Sequence, residues 1–161
     1  ACMYVSRAGL WRENRISFPP IIHEDEPVFF PLIAASQKTI VLPDRYFLRR
    51  VRSGSIMTRG VDSRNLQGRL YTFLSTANFM ISQPEVVERD RDAWRARLKD
   101  SFLGYIHCAR TTRTPVSWSL ILFSVMSVRQ LSYLVQIIYS QLPEWMRQVY
   151  RYFRPRTFRR K

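Results

Sequence analysis

Two short clusters bring together side chains that can bind metals or act in catalysis. The segment 23–26 reads HEDE, and His107 directly precedes Cys108. Imidazole, carboxylate and thiolate groups are common metal ligands, and a Cys–His pair can form an activated nucleophile. The HEDE segment is bracketed by Pro20 and Pro27, and the sequence holds no second ligand cluster to complete a site. We therefore expect it to form a solvated acidic turn or a contact for basic neighbours.

The remaining catalytic signals are weak. His107 and Cys108 would point in different directions on a helix, since successive residues are about 100° apart. The chain has two histidines and five scattered glycines, so it lacks a phosphate-binding loop and a dinucleotide fingerprint. Its two cysteines, Cys2 and Cys108, are too few for a disulfide framework. We expect no catalytic residue, no metal site, no cofactor and no small-molecule substrate, and hence no enzyme.

The composition combines a strong positive charge with many apolar residues. The 161 residues include 26 Lys and Arg against 12 Asp and Glu, a net charge of +14, and 46% are hydrophobic. A chain with this charge is attracted to polyanions, either nucleic acid phosphates or anionic lipid headgroups. Only three of the basic residues are lysine, and the guanidinium of arginine suits bidentate phosphate contacts. An arginine-rich codon bias would explain the same ratio.

The chain divides into four regions of a mostly α-helical fold. Residues 1–43 form a basic, proline-rich arm, whose first part has the composition of a mitochondrial presequence or of a plain anion-binding arm. Five prolines between positions 19 and 43 predict an extended strap laid over another surface. Residues 44–112 form a small amphipathic helical region, 113–143 a long apolar helix, and 144–161 a basic aromatic tail.

Two amphipathic helices are predicted in the second region. Apolar residues recur at three- and four-residue spacing in 65–81, including Phe73, Leu74 and Ala77, which predicts a helix with one buried stripe. Ser82 and Glu85 match a capping box for the next helix, 83–109. Its predicted buried face carries Val87, Trp94, Leu98, Phe102, and Tyr105 or Ile106. Its charged face includes the predicted pairs Glu88 with Arg91 and Asp92 with Arg95.

The long apolar helix, 115–142, is a candidate single transmembrane span. At 1.5 Å per residue it measures roughly 42 Å, more than the roughly 30 Å of a bilayer core. Arg129 near its middle should not face lipid, because a buried charge there is costly. Four polar residues fall within a sector about 80° wide and form a candidate seam for partner subunits: Arg129, Ser132, Gln136 and Ser140. Alternatively, 115–142 is the buried central helix of a domain formed with the two amphipathic helices.

The tail combines arginines with aromatic residues. Residues 144–161 hold seven basic residues against one acid, Glu144. A short amphipathic helix of this composition lies in a headgroup layer and binds anionic lipid. Threading through rRNA, with phosphate contacts and base stacking, is the alternative. The candidate lipid or phosphate contacts are Arg147, Arg151, Arg154, Arg156, Arg159 and Arg160.

These features predict a non-catalytic accessory subunit of a large complex of the mitochondrial inner membrane, either a respiratory chain complex or ATP synthase. Its partners would be other subunits and anionic lipids, with structural phospholipid such as cardiolipin at the tail. The alternative is a mitochondrial ribosomal protein in the matrix, which binds rRNA through its basic extensions.

Overall fold

The computed structural model describes residues 4–43, 53–55 and 59–128, together with the single positions Tyr133, Ile137, Ile138, Leu142 and Met146. Within this part the chain forms α-helices and no strand, which confirms the mostly α-helical class. In chain order the helices are α1 (Ala8–Glu13), α2 (Glu26–Ala35), α3 (Ser63–Ser82), α4 (Pro84–Arg89), α5 (Arg91–Thr111) and α6 (Trp118–Val128).

The first predicted amphipathic helix is confirmed as α3, but its cap is not where the sequence predicted one. Asp62 precedes the helix, and its side chain accepts hydrogen bonds from the backbone N–H groups of Arg64 and Asn65. The Asn65 side chain in turn accepts from the Asp62 N–H at 3.0 Å, which completes a capping box. The box predicted at Ser82 is wrong, because the Ser82 hydroxyl donates backward to the Phe79 carbonyl.

The second amphipathic helix is interrupted at Asp90. Its backbone leaves the helical region there, with φ −147° and ψ 58°, and its side chain accepts from the Ala93 N–H to cap α5. The predicted single helix 83–109 is therefore two helices, α4 and α5. The predicted apolar face is nevertheless confirmed across both of them by the buried residues Val87, Trp94, Leu98, Phe102, Tyr105 and Ile106.

The prediction of an extended strap is wrong for residues 26–35, which form α2. Pro27 lies in the first turn, where its missing N–H has no helical partner to lose. Pro31 lies inside the helix, at a typical cost of about 3 kcal/mol. Val28 and Leu32, one turn apart, are both buried, and each such burial is worth about 1.5 to 3 kcal/mol. Burial of the pair therefore offsets the proline.

The core lies between α3, α5 and α6. Phe73 of α3 and Phe102 of α5 are fully buried, with ring centroids 4.8 Å apart. Helix α6 packs along α5 and contributes Ser124 and Val128 to the interior. Beyond it, Tyr133 and Ile137 are buried in the same cluster. The alternative prediction, a buried central helix over 115–142, is correct only in part: α6 packs on α5, but one of its sides is exposed, and most of 129–142 lies outside the described residues.

Among the residues that the structure describes, no helix combines the length and the apolarity needed to cross a bilayer. Helix α6 is described from Trp118 to Val128, and most of the predicted span beyond Val128 lies outside the described residues. The predicted span 115–142 therefore gains no support from the structure.

Candidate docking surface

The polar seam and the basic tail predicted from the sequence lie outside the described residues. This applies to the four seam residues, Arg129, Ser132, Gln136 and Ser140, and to the tail arginines Arg147, Arg151, Arg154, Arg156, Arg159 and Arg160. The surface features described below come from other parts of the chain.

Helix α6 turns an apolar stripe away from the core. Trp118, Leu122 and Met126 follow one another at four-residue intervals and are exposed by 82%, 61% and 64%. On the opposite side Ser124 and Val128 are buried. Apolar side chains of this exposure leave most of their surface in contact with water, and a contiguous group of them marks a surface for a partner. We call these three residues the α6 stripe.

A groove adjoins the α6 stripe, between α6 and the region where α3 ends and α5 begins. It has a volume of about 510 Å³. A smaller hollow of about 200 Å³, lined partly by Ile81 of α3 and Leu98 of α5, shares three of its residues. The lining of the groove consists of Met80, Val87, Arg91, Arg95, Phe123, Met126 and Ser127.

Both charged side chains that line the groove are arginines on α5. Arg91 donates to the Glu88 carboxylate, with its Nε 3.0 Å from Oε2. This hydrogen bonding holds the pKa of the Glu88 carboxyl below its usual value. Arg95 lies 3.8 Å from an oxygen of Asp92. Both predicted pairs are thus confirmed, and because both carboxylates are exposed to solvent, the pairs are of the kind that contributes little to stability.

A second cluster of charges joins the N-terminal arm to the core. Arg69 Nη1 donates to both carboxylate oxygens of Glu26, at 2.6 and 2.7 Å. Arg97 donates to the Glu26 backbone carbonyl at 3.1 Å, and its guanidinium lies 5.1 Å from the centre of the Phe30 ring. The last residue of the HEDE segment is therefore a contact for basic neighbours, one of the two roles that the sequence predicted.

The arm also approaches α3 through its backbone. A Cβ atom at Gly68 would lie 2.2 Å from the carbonyl oxygen of Ile22. His23, the next residue, adopts φ 67°, in the left-handed region. Burial lowers the pKa of its imidazole, and the nearby Arg69 charge lowers it further. Only glycine at position 68 leaves room for this crossing.

The described residues contain no group of three or more side chains suited to hold a metal ion. His107 is exposed and Cys108 is buried, so the two side chains diverge as the sequence predicted. Burial raises the pKa of the Cys108 thiol, which keeps it protonated and poorly nucleophilic at neutral pH. The cluster around Glu26 is suited to holding the arm, since this one carboxylate of α2 contacts arginines of both α3 and α5.

Sequence reasoning missed both the α6 stripe and the groove. The four-residue spacing of Trp118, Leu122 and Met126 was a usable signal for a shared face. It was hidden because the other sides of α6 are apolar too, so no polar face marks the exposed side. No pattern along the sequence could indicate the groove, because its lining residues come from four different helices.

Comparisons with known proteins returned no match to any protein-family model, to any curated protein or to any solved structure.

Proposed function

We propose that this chain is a non-catalytic accessory subunit that docks onto other subunits of a large complex through the α6 stripe. The observation that carries the proposal is the exposure of Trp118, Leu122 and Met126 on a helix whose other side is buried in the core. A partner that covered this stripe would remove large apolar side chains from water, at roughly 25 cal/mol for each Å².

The proposed location is the mitochondrial inner membrane, in a respiratory chain complex or ATP synthase. A net charge of +14 supports contact with anionic lipid. The tail arginines, Arg147 through Arg160, are the proposed headgroup contacts, and a lipid such as cardiolipin would suit them. Docking through the α6 stripe requires a neighbouring apolar surface, which spans of other subunits offer, and it does not require this chain to cross the membrane.

The test is assembly of the tagged full-length chain in mitochondria of its source organism. A variant with Trp118→Ser and Leu122→Ser, the two stripe residues that do not line the groove, should no longer migrate with a large complex on native gels. A matched control changes Tyr71 and Leu74, two exposed apolar residues of α3, to Ser and should migrate as the wild type does. Both variants should keep the helical circular dichroism of the wild type.

Normal assembly of the stripe variant would refute docking through α6. Co-sedimentation of the wild type with ribosomes, abolished by RNase, would establish the rival role as a mitochondrial ribosomal protein. Carbonate extraction of the same membranes separates attachment from insertion, because a subunit bound only to its neighbours is released into the supernatant.

A further inference from the structure

The groove shares Met126 with the α6 stripe but, unlike the stripe, it is also lined by charged side chains, Arg91 and Arg95. Met80, Phe123 and Met126 supply flexible or aromatic apolar walls, and Val87 closes the side formed by α4. Met126 is 64% exposed, so the groove can be reached from solvent. Its volume, about 510 Å³, is large enough to take several apolar side chains.

The methionines that line the groove indicate which kind of molecule it can bind. Methionine has three rotatable bonds and a polarisable sulfur, and grooves rich in it adapt to the apolar side chains of helical partners. Met80 and Met126 lie on two different helices, α3 and α6, and both line the groove. A helix that presents anchors at intervals of three and four residues is the partner that such a groove accepts.

The arginines determine the charge of that partner. Arg91 and Arg95 are four residues apart on α5, a separation of about 6 Å along the helix. Carboxylates four residues apart on a second helix lying beside α5 would have the same spacing. Arg91 already donates to Glu88 and Arg95 lies 3.8 Å from an Asp92 oxygen, but a guanidinium has five N–H donors and can donate to a second carboxylate as well.

We propose that the groove binds an acidic amphipathic helix of a neighbouring subunit, with its apolar anchors against Met80, Phe123 and Met126 and its carboxylates on Arg91 and Arg95. The identity of this partner as a neighbouring subunit rests on the proposed function. The chemistry of the binding site does not, because it follows from the lining of the groove alone.

The experiment uses the full-length protein and two fluorescein-labelled helical peptides. Both carry leucines at positions i, i+3, i+4 and i+7; one has glutamates along the flank of this face and the other has lysines at the same positions. Fluorescence anisotropy at low salt should show the glutamate peptide binding at least about tenfold more tightly. Changing both Arg91 and Arg95 to Gln should abolish that preference, and Met126→Glu should weaken the binding of the glutamate peptide.

Two controls keep the result specific. Lys99 and Arg110 are basic residues of α5 that do not line the groove, and changing both to Gln removes the same charge. This control should retain the preference for the glutamate peptide. Circular dichroism and urea unfolding should show that all variants fold.

Equal binding of the two peptides, no binding of either, or loss of preference in the Lys99 and Arg110 control would overturn the proposal. Binding to phosphatidylcholine vesicles containing cardiolipin that Met126→Glu abolishes, with neither peptide bound, would assign the groove to lipid instead. Failure of the peptides to bind while the stripe variant loses assembly would reject this occupant and leave the accessory role standing. Peptide binding together with normal assembly of the stripe variant would reject docking through the α6 stripe and leave the groove as a binding site for an acidic helix.

Discussion

Glu26 of α2 and Arg69 of α3 form an ion pair across 43 residues of sequence, with Nη1 of Arg69 2.6 Å from one carboxylate oxygen and 2.7 Å from the other. About a quarter of each side chain is exposed, so the pair is partly shielded from water. It attaches the arm to the same helix that supplies Phe73 to the core. Loss of the pair should therefore loosen the arm before it disturbs the core.

Replacing Glu26 with Gln should destabilise the protein by about 1 to 2 kcal/mol, because it leaves the Arg69 charge partly buried without its counter-ion. Urea unfolding measures the change. Limited proteolysis should cut the arm sooner than in the wild type. Glu85→Gln, at an exposed position of α4, is the control and should stay within about 0.5 kcal/mol. A Glu26 variant no different from this control would contradict the role of the pair.

Gly68→Ala should destabilise the protein by about 1 to 3 kcal/mol. The added Cβ would fall 2.2 Å from the Ile22 carbonyl oxygen. The backbone fixes the position of a Cβ and the oxygen is itself a backbone atom, so no side-chain rotation relieves the clash. The control is Gly60→Ala, where the added Cβ meets nothing within 4 Å. Thermal unfolding should place Gly60→Ala near the wild type and Gly68→Ala well below it. Equal midpoints would mean that the arm does not cross α3 at this point.

The register of α3 can be tested with two adjacent residues. Phe73 is fully buried and Leu74 is 45% exposed, although the sequence pattern placed both on the buried stripe. Phe73→Ala should cost about 3 to 5 kcal/mol, because it removes a ring that contacts Phe102 and leaves a cavity. Leu74→Ala should cost less than about 1 kcal/mol. Chemical denaturation measures the loss of stability in each variant. Similar losses in the two variants would mean that the buried face of α3 lies elsewhere.

Stability should fall as the pH is lowered below about 6.5, in a manner that depends on His23. Burial and the charge of Arg69 lower the pKa of His23 in the folded protein. The negative charges of Glu24, Asp25 and Glu26 raise it by less, so the pKa is lowered overall. The unfolded chain therefore takes up a proton first, near pH 6.5. Stability is retained above that pH and is lost as the pH falls toward the lower folded pKa.

His23→Asn should flatten this pH dependence, since asparagine does not titrate and tolerates the left-handed backbone at this position. Urea unfolding at several pH values gives the slope of the free energy of unfolding against pH. His107→Asn, at an exposed position of α5, should leave the slope as it is in the wild type. If the His23 variant kept the full slope, the titration would have to come from another group.

The amino-acid sequence determined the helices whose apolar residues recur on one side only. The stripe along 65–81 and the face from Val87 to Ile106 each predicted a helix and its buried side, because amphipathic periodicity reports both. The prediction failed locally at Leu74, which lies at the edge of the stripe. The ion pairs of Glu88 and Asp92 were also predictable, since their partners lie three residues away on the same chain segment.

Only the tertiary structure decided the features that depend on segments distant in the chain. Proline density predicted an extended arm, but burial of Val28 and Leu32 made α2 a helix. The contacts of Glu26 with Arg69 and Arg97 join residues 43 and 71 positions apart, and no local pattern encodes them. Helix α6 is apolar on all sides, so its sequence was compatible with burial on any side. Packing against α5 buried Ser124 and Val128, and that contact left Trp118, Leu122 and Met126 facing outward.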